Sequence, residues 1–143
     1  MRHTFTVDIQ WNEGLQGKAQ PRGVADELNF SVPAAFGGPG GEWTPEHFFA
    51  ASINSCILAT FLTIAANSKL AFSSYRASAK ATMEQTPEGL RMTEIELVPE
   101  VAVKTEDDKE RALRLLEKSE AMCPISNSVT SKITFSPSVV VTG

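Results

Sequence analysis

The feature that most constrains the fold is an uncharged, mostly apolar run from Phe48 to Ser68. Just before it, Thr44 suits a helix N-cap, Pro45 suits the first helical position, and Glu46 places a carboxylate at the positive end of the dipole. Since no helix breaker occurs before about Ser68, the pattern predicts a helix of ~24 residues and ~36 Å. A chain of 143 residues has about this diameter when compact, so we expect the helix to be covered on most sides.

The same run is long enough to raise the question of a transmembrane helix. It lacks basic flanks and carries polar side chains along its length: Ser52, Asn54, Ser55, Thr60, Thr63 and Asn67. We therefore expect a buried helix in a soluble protein, with no membrane partner. The N-terminal "MRHTFTVDIQW" has neither the apolar segment nor the cleavage site of a signal peptide, so a reducing cytoplasm is expected.

Strand-like segments lie on both sides of the predicted helix. "HTFTVDIQW" alternates between apolar and polar residues, and its apolar face consists of Phe5, Val7, Ile9 and Trp11. "ELNFSVP" predicts another short strand, and "AAFGGPGGEW" predicts a flexible loop. After the helix, "SYRASAKATMEQT" and "LRMTEIELVPEVAVK" form two strand-like runs joined by the turn "PEG", and "KITFSPSVVV" closes the chain as a strand.

The C-terminal third adds helical signals. Thr105 and Asp108 form a capping box before an amphipathic helix whose apolar stripe is Ala112, Leu113, Leu115 and Leu116. "CPISNSV" predicts one more helix start, with Cys123 at the N-cap and Pro124 at the first helical position. The order of elements indicates one α+β domain over residues 1–143 with mostly antiparallel pairing.

Composition and spacing argue against several classes of function. The formal net charge is -4, and no Lys/Arg block or basic–aromatic pattern occurs, so nucleic acid is not an expected partner. The histidines and cysteines lack the spacing of metal ligands, and "GGPGG" lacks the lysine of a phosphate-binding loop. No metal or other cofactor is predicted.

The two cysteines, Cys56 and Cys123, carry the remaining chemistry. Free cysteine is among the most buried residue types, so Cys56 alone is compatible with an inert core position. A cysteine at a helix N-terminus favours the thiolate, which makes Cys123 the more acidic candidate. A Cys–His hydrolase would use His47, but His47 and Cys56 are nine positions apart, ~13 Å along one helix, so only a second chain could join them. Core residue, disulfide partner and reactive thiol all remain open.

Two motifs together resemble the signatures of the OsmC/Ohr family. They are "GGEWTPEHFFAASINSC", a Thr-Pro-Glu helix start with a cysteine ten residues after the glutamate, and "CPISN" near the C-terminus. The order of strands and helices resembles that family over nearly the whole chain. The resemblance implies an intertwined homodimer in which antiparallel sheets wrap long central helices. It also implies a thiol peroxidase that reduces organic hydroperoxides and, less efficiently, hydrogen peroxide.

The resemblance also implies roles for particular residues. Cys56 aligns with the peroxidatic cysteine, Cys123 with the resolving cysteine, and Glu46 with an acid that orders the site. An external dithiol, for which lipoylated proteins are the family's candidates, would reduce the Cys56–Cys123 disulfide. Because Glu46 and Cys56 are ten residues apart, ~15 Å along one helix, we expect the active sites to lie at the dimer interface.

The chain also departs from the family pattern. The family's peroxidases carry an arginine in the N-terminal strand region, where this chain offers Lys18 or Arg22 in "WNEGLQGKAQPRG". "INSCILATF" lacks the Ala-Cys-Phe run of the two best-known branches, which indicates a less characterised branch. A first reaction at Cys56 requires a cation near that thiol. The alternative reading is a non-catalytic, redox-responsive or small-ligand-binding protein of the same fold.

Overall fold

A computed structural model describes residues 1–143. The strands are β1 (Val7–Glu13), β2 (Gln16–Pro21), β3 (Leu28–Ser31), β4 (Ser74–Thr86), β5 (Gly89–Val103), β6 (Lys132–Phe135) and β7 (Ser138–Val141), and the α-helices are α1 (Pro45–Asn67) and α2 (Glu106–Met122). The chain divides into two compact units, Met1–Phe48 and Phe49–Gly143. The division falls inside α1 rather than in a linker, and a single domain over residues 1–143 stays a prediction.

The first unit is built on a three-stranded antiparallel sheet in the order β1-β2-β3. Every residue of β1 is exposed, including the apolar face formed by Val7, Ile9 and Trp11. Trp43 adds a parallel bridge to Phe30 at the edge of β3. The strand predicted from the alternation is therefore confirmed as β1, but nothing in the chain buries its apolar face.

The glycine-rich loop before α1 is tighter than predicted. The N–H of Gly38 donates to the carbonyl of Pro33 at 3.1 Å. A Cβ placed on Gly38 would lie 1.6 Å from the carbonyl oxygen of Val32, so only glycine fits this turn. Gly37, with φ of 95°, uses the left-handed region that favours glycine. The glycines serve a close backbone packing here, in addition to any flexibility they provide.

The predicted start of α1 is confirmed, with an unexpected partner. Thr44 Oγ1 accepts the backbone N–H of His47 at 3.2 Å, and His47 Nδ1 accepts the backbone N–H of Thr44 at 3.0 Å. This is the reciprocal arrangement of a capping box, with histidine in place of glutamate or glutamine. The helix then runs without a break to Asn67, one residue short of the predicted limit.

The second unit contains a mixed sheet; the expected mostly antiparallel pairing is confirmed for the chain as a whole, and the last two strands are the exception. β4 and β5 form the predicted antiparallel hairpin. β6 and β7 then pair with successive parts of β5 in the parallel direction. The reason is the crossover through α2, which returns the chain to the end of the sheet where β5 began, so the following strands run alongside β5.

One face of α1 is buried in the second unit. Its buried residues recur every three or four positions: Ile53, Ile57, Phe61, Ile64 and Ala65. The opposite face, which includes Ser52, Ser55, Ala59 and Leu62, is exposed. Within one chain α1 is therefore covered on one face, and not on most sides as expected. By length and composition alone α1 is also the one helix that could cross a membrane, with 28% of its most apolar window buried.

The amphipathic helix α2 completes the core. Its predicted N-cap is confirmed, since Thr105 Oγ1 accepts the N–H of Asp108 at 3.1 Å. Ala112 and Leu116 are fully buried and pack in one cluster with Phe61 and Val101. The predicted stripe therefore joins α2 to the core beside α1 and the sheet.

Candidate functional site

Cys56 lies next to the buried stripe of α1. Ile53 and Ile57 on the same helix are almost fully buried, whereas Cys56 is partly exposed because it lies at the edge of that stripe. Thr60, one turn later, lies on the same edge, and its hydroxyl donates to the carbonyl of Cys56 at 2.8 Å. Cys56 therefore combines contact with the core with access from solvent.

Cys123 is fully buried at the end of α2, and its predicted position at the start of a helix is wrong. It is the C-cap of α2, with φ of -66° and ψ of 113°, and the only helical structure that follows is the single 3-10 turn Ser126–Ser128. Pro124 explains the difference, because proline disfavours the α conformation of the residue before it. The proline that was interpreted as a helix start therefore ends one.

Even so, Cys123 accepts a hydrogen bond of the kind that an N-cap accepts. The backbone N–H of Ser126, three residues later, donates to Cys123 Sγ at 3.4 Å. The hydroxyl of Ser126 donates to the carbonyls of Cys123 and Glu120 at 3.2 and 3.3 Å. The loop after Cys123 thus supplies a donor to the sulfur and caps the carbonyl end of α2 at the same time.

The structure brings the two predicted cysteines together. Both are free, and both lie in one apolar cluster. The residues that pack around the pair are apolar: Ile53, Ile57, Ala79, Ala81, Ile95, Leu97, Val129, Ile133 and Phe135. Two residues that the sequence separates widely therefore form one thiol pair in apolar surroundings.

The two thiols titrate differently. Burial, followed by the hydrogen bond with Cys123, raises the pKa of Cys56 above the ordinary value for cysteine. Burial also acts to raise the pKa of Cys123, but hydrogen bonds from Cys56 and from Ser126 outweigh it, so the pKa of Cys123 is lowered.

No cation contributes to these shifts. The groups that move the pKa values of Cys56 and Cys123 are the two thiols, nearby backbone groups and hydroxyls, with no lysine or arginine among them. The two candidates for the family's arginine are each paired with an acid of the first unit. Lys18 Nζ lies 3.5 Å from Glu27 and Arg22 Nε lies 3.2 Å from Asp8.

Glu46 lies in the first turn of α1 and is partly buried. Because α1 is unbroken between Glu46 and Cys56, the two residues are ~15 Å apart along its axis. A single chain does not bring them together. His47, whose Nδ1 serves the N-cap, is separated from Cys56 by a similar rise, and this does not favour the Cys–His hydrolase.

Thr60 and Ser126 were missed as site residues. Each had a local signal, since Thr60 follows Cys56 by one helical turn and Ser126 follows Cys123 by the three positions of a capping interaction.

A cavity of about 260 Å³ lies between α1 and β4 and is lined by residues that include Tyr75 and Arg76, but not by either cysteine. No group of three or more His, Cys, Asp or Glu side chains is arranged to hold a metal ion.

Comparison with known families decides which family the chain belongs to. A family model described as OsmC-like protein matches residues 38–138, which include Glu46 and both cysteines. The chain belongs to the OsmC family. The resemblance carried by the two cysteine motifs is thereby confirmed at the level of the family. None of the curated protein sequences compared with it matches this OsmC-like chain.

Solved structures confirm the OsmC-like fold. An OsmC-like protein of unknown function from Vibrio cholerae has a TM-score of 0.84 and 18% identity, covering 95% of this chain and 99% of that one. An organic hydroperoxide resistance protein from Elizabethkingia anophelis has a TM-score of 0.76 and 23% identity, covering 99% and 98%. The organic hydroperoxide resistance protein OhrB of Bacillus subtilis has a TM-score of 0.66 and 18% identity, covering 96% and 98%.

Proposed function

We propose that this protein is a thiol-dependent peroxidase that reduces organic hydroperoxides and, less efficiently, hydrogen peroxide. Cys56 attacks the peroxide and becomes a sulfenic acid, which Cys123 converts to a disulfide with release of water. An external dithiol, with a lipoylated protein as the candidate, then restores both thiols by exchange. The proposed setting is a reducing cytoplasm, where cysteines are kept reduced between turnovers.

One observation carries the proposal: the two free thiols lie in one apolar cluster, and only one of them is accessible. Cys56 is partly exposed, so peroxide can reach it, whereas Cys123 is fully buried. A sulfenic acid at Cys56 would form beside the thiol that traps it, which protects Cys56 from irreversible oxidation. A disulfide needs Cα atoms within about 7 Å, and the packing of both cysteines in one cluster supports this condition.

The first test mixes fully reduced protein with a slight excess of cumene hydroperoxide and, separately, of hydrogen peroxide. We expect rapid loss of both thiols, a mass decrease of about two hydrogen atoms, and faster reaction with the organic peroxide. Cys56→Ser should abolish peroxide consumption. Cys123→Ser should permit one turnover at most, or slow thiol-dependent cycling. Survival of both wild-type thiols, while a control thiol peroxidase is oxidised, would refute the peroxidase proposal.

The proposal includes a homodimer with active sites at its interface. In support, the apolar face of β1 is exposed in the single chain, with Val7 at 54%, Ile9 at 61% and Trp11 at 72% exposure. A stable monomer rarely leaves such a contiguous apolar strand face uncovered. A second chain could also bring its Glu46 to the Cys56 of the first, which α1 cannot do within one chain.

Light scattering after size-exclusion chromatography tests the dimer. The wild type is expected to elute with twice the chain mass, and Trp11→Ser to shift the equilibrium towards the monomer because Trp is the largest side chain on the exposed β1 face. Glu46→Gln should slow peroxide reduction without changing the dimer. A monomeric wild type that is fully active would contradict both the interface and the role of Glu46.

A second candidate is a non-catalytic, redox-responsive OsmC-like protein. The observation in its favour is that the accessible thiol, Cys56, has a raised pKa and no cation to lower it. Such a protein would form the Cys56–Cys123 disulfide once, slowly, and would not turn over with any dithiol. Steady-state consumption of cumene hydroperoxide with dihydrolipoamide as the reductant distinguishes the peroxidase from this alternative.

A further inference from the structure

The loop after Cys123 places a polar N–H group against a sulfur in apolar surroundings. Cys123 is fully buried in a cluster that includes Ile95 and Leu97. The backbone N–H of Ser126 donates to Cys123 Sγ at 3.4 Å, and Ser126 is only 4% exposed, so this hydrogen bond is shielded from water. A negative charge on a buried sulfur is costly unless a hydrogen-bond donor faces it. The N–H of Ser126 is such a donor.

The side chain of Ser126 fixes the direction of that N–H. Its hydroxyl donates to the carbonyl of Cys123 at 3.2 Å and to the carbonyl of Glu120 at 3.3 Å. Both carbonyls belong to the C-terminal end of α2, since the helix ends at Met122 and Cys123 is its C-cap. The hydroxyl therefore ties the loop to α2 and keeps the N–H of Ser126 directed at the sulfur.

We propose that Ser126 acts in the reduction of the Cys56–Cys123 disulfide: its N–H binds Cys123 as the leaving thiolate, and its hydroxyl positions that N–H. This inference rests on the proposed function and concerns the half of the cycle in which the external dithiol reacts. The exposure of the two cysteines determines which sulfur is attacked. Cys56 is partly exposed and Cys123 is fully buried, so the dithiol reaches Cys56 and Cys123 is the leaving group.

The exchange balances with the dithiol as the reductant. One thiolate of the dithiol attacks Cys56 Sγ, the S–S bond to Cys123 breaks, and Cys123 leaves as a thiolate. The second thiolate of the dithiol then attacks the reductant sulfur that is bound to Cys56, which closes the disulfide of the reductant and releases Cys56. Two electrons pass from the dithiol to the protein, and the two protons that the dithiol loses are replaced through solvent on Cys56 and Cys123.

The hydrogen bond from Ser126 stabilises the two redox states unequally. A thiolate is a stronger acceptor than the sulfur of a disulfide, so the N–H stabilises the reduced chain more than the oxidised one. Thiol–disulfide exchange is also faster when the leaving thiolate is stabilised. Ser126 should therefore increase both the rate and the extent of reduction by the dithiol. A residue that only kept the loop folded would stabilise both redox states alike and would leave the equilibrium unchanged.

The test reduces the oxidised full-length chain with dihydrolipoamide and measures both the rate and the final equilibrium with lipoamide. The disulfide is prepared with diamide, so the test does not depend on peroxide. We expect Ser126→Ala to slow reduction about 10-fold and to lower the equilibrium constant for reduction about 10-fold, which corresponds to about 30 mV. An equilibrium constant for Ser126→Ala equal to that of the wild type would overturn the inference.

The matched control is Ser128→Ala. The hydroxyl of Ser128 also donates to a backbone carbonyl of this loop, that of Pro124 at 2.7 Å, but no group of Ser128 donates to the sulfur. Ser128→Ala should therefore keep the wild-type rate and equilibrium constant. A decrease equal to that in Ser126→Ala would show that any loosening of the loop has this effect, and it would overturn the assignment to Ser126.

A second measurement needs no variant and covers the case in which Ser126→Ala does not fold. The amide protons of the reduced wild type are followed by NMR as Cys123 loses its proton. We expect the amide proton of Ser126 to move downfield, because its acceptor becomes charged. The amide proton of Ser128, which donates to the carbonyl of Ile125 at 3.0 Å, should not move. A Ser126 amide proton that stays in place would overturn the inference.

Failure of the inference and failure of the proposed function give different results. If dihydrolipoamide reduces the disulfide and Ser126→Ala slows this reaction, but the reduced wild type consumes no peroxide, the peroxidase function fails and the role of Ser126 in exchange stands. If the wild type consumes peroxide and Ser126→Ala matches it in rate and equilibrium, the peroxidase function stands and the role of Ser126 fails. A chain that forms no Cys56–Cys123 disulfide with diamide would overturn both.

Discussion

Oxidation of the Cys56–Cys123 pair should stabilise the folded chain by an amount that the positions of the two residues determine. A disulfide here would close a loop of ~67 residues, and the chain-entropy relation gives about 4 kcal/mol of stabilisation for a loop of this size. For a chain of this length, 1 kcal/mol corresponds to a shift of roughly 2–4 °C in the melting temperature. Since both reduced thiols already pack in one cluster, little strain should offset this gain, and oxidation should raise the melting temperature by about 10–15 °C.

Differential scanning calorimetry on reduced and peroxide-treated protein measures this shift. Both samples are kept at one protein concentration, because association also changes the melting temperature. Cys56→Ser and Cys123→Ser receive the same peroxide treatment and should show no comparable increase. Mass spectrometry after proteolysis confirms that the disulfide lies within one chain.

Two results would refute the reasoning. An intrachain disulfide that leaves the melting temperature unchanged, or lowers it, would show that the two sulfurs must strain the fold to bond. A disulfide between chains would show that the shared packing of the two cysteines within one chain does not govern oxidation. Neither result depends on whether the protein turns over as an enzyme.

Three further variants test other parts of the structure. Burial raises the pKa of Cys56, but a hydrogen bond with Thr60 acts to lower it, so Thr60→Val should slow alkylation of Cys56 by roughly 2- to 10-fold. Thr63→Val, which removes only a bond to a backbone carbonyl farther along α1, should not, and equal effects would contradict this role of Thr60. Tyr75→Phe should gain about 1 kcal/mol in denaturant unfolding, because the buried hydroxyl has no partner, and a loss would reveal a missing partner. Burial raises the pKa of Tyr75 to about 12, so the unfolded chain ionises this tyrosine at a lower pH than the folded chain. The free energy of unfolding is therefore unaffected by Tyr75 ionisation below pH 10 and falls as the pH rises towards 12. Tyr75→Phe should remove this fall at alkaline pH. Gly38→Ala should lower the melting temperature sharply because its Cβ meets the Val32 carbonyl, and an unchanged melting temperature would contradict this packing.

Local signals predicted the long helix well. Thr44, Pro45 and the lack of breakers are contiguous in the sequence, and cap chemistry acts over one turn, so the start and end of α1 follow from short-range physics. The parallel pairing of β6 and β7 with β5 could not be predicted in the same way. It depends on where α2 returns the chain, which is a long-range property.

The environment of Cys123 shows a different limit of the sequence. A Cys-Pro pair suits the first residues of a helix and also the residues just after one, because proline fixes its own φ and restricts the residue before it. Here Cys123 follows a helix, because α2 runs up to Met122 and Pro124 disfavours the α conformation of Cys123. The pairing of Cys123 with Cys56 was implied by the family resemblance, whereas the packing of both cysteines in one cluster and the donor from Ser126 required three-dimensional structure.

The loop after Cys123 links the chemistry of one sulfur to the order of a helix end. Ser126 donates its N–H to Cys123 Sγ and its hydroxyl to the last carbonyls of α2, and Asn127 donates its side chain to the Ala121 carbonyl at 3.0 Å. When the sulfur moves to form a bond with Cys56, the N–H of Ser126 must move with it or lose its acceptor. The amide proton of Ser126 therefore acts as a natural reporter, and its exchange with deuterated solvent should record each cycle of oxidation without any label on the cysteines.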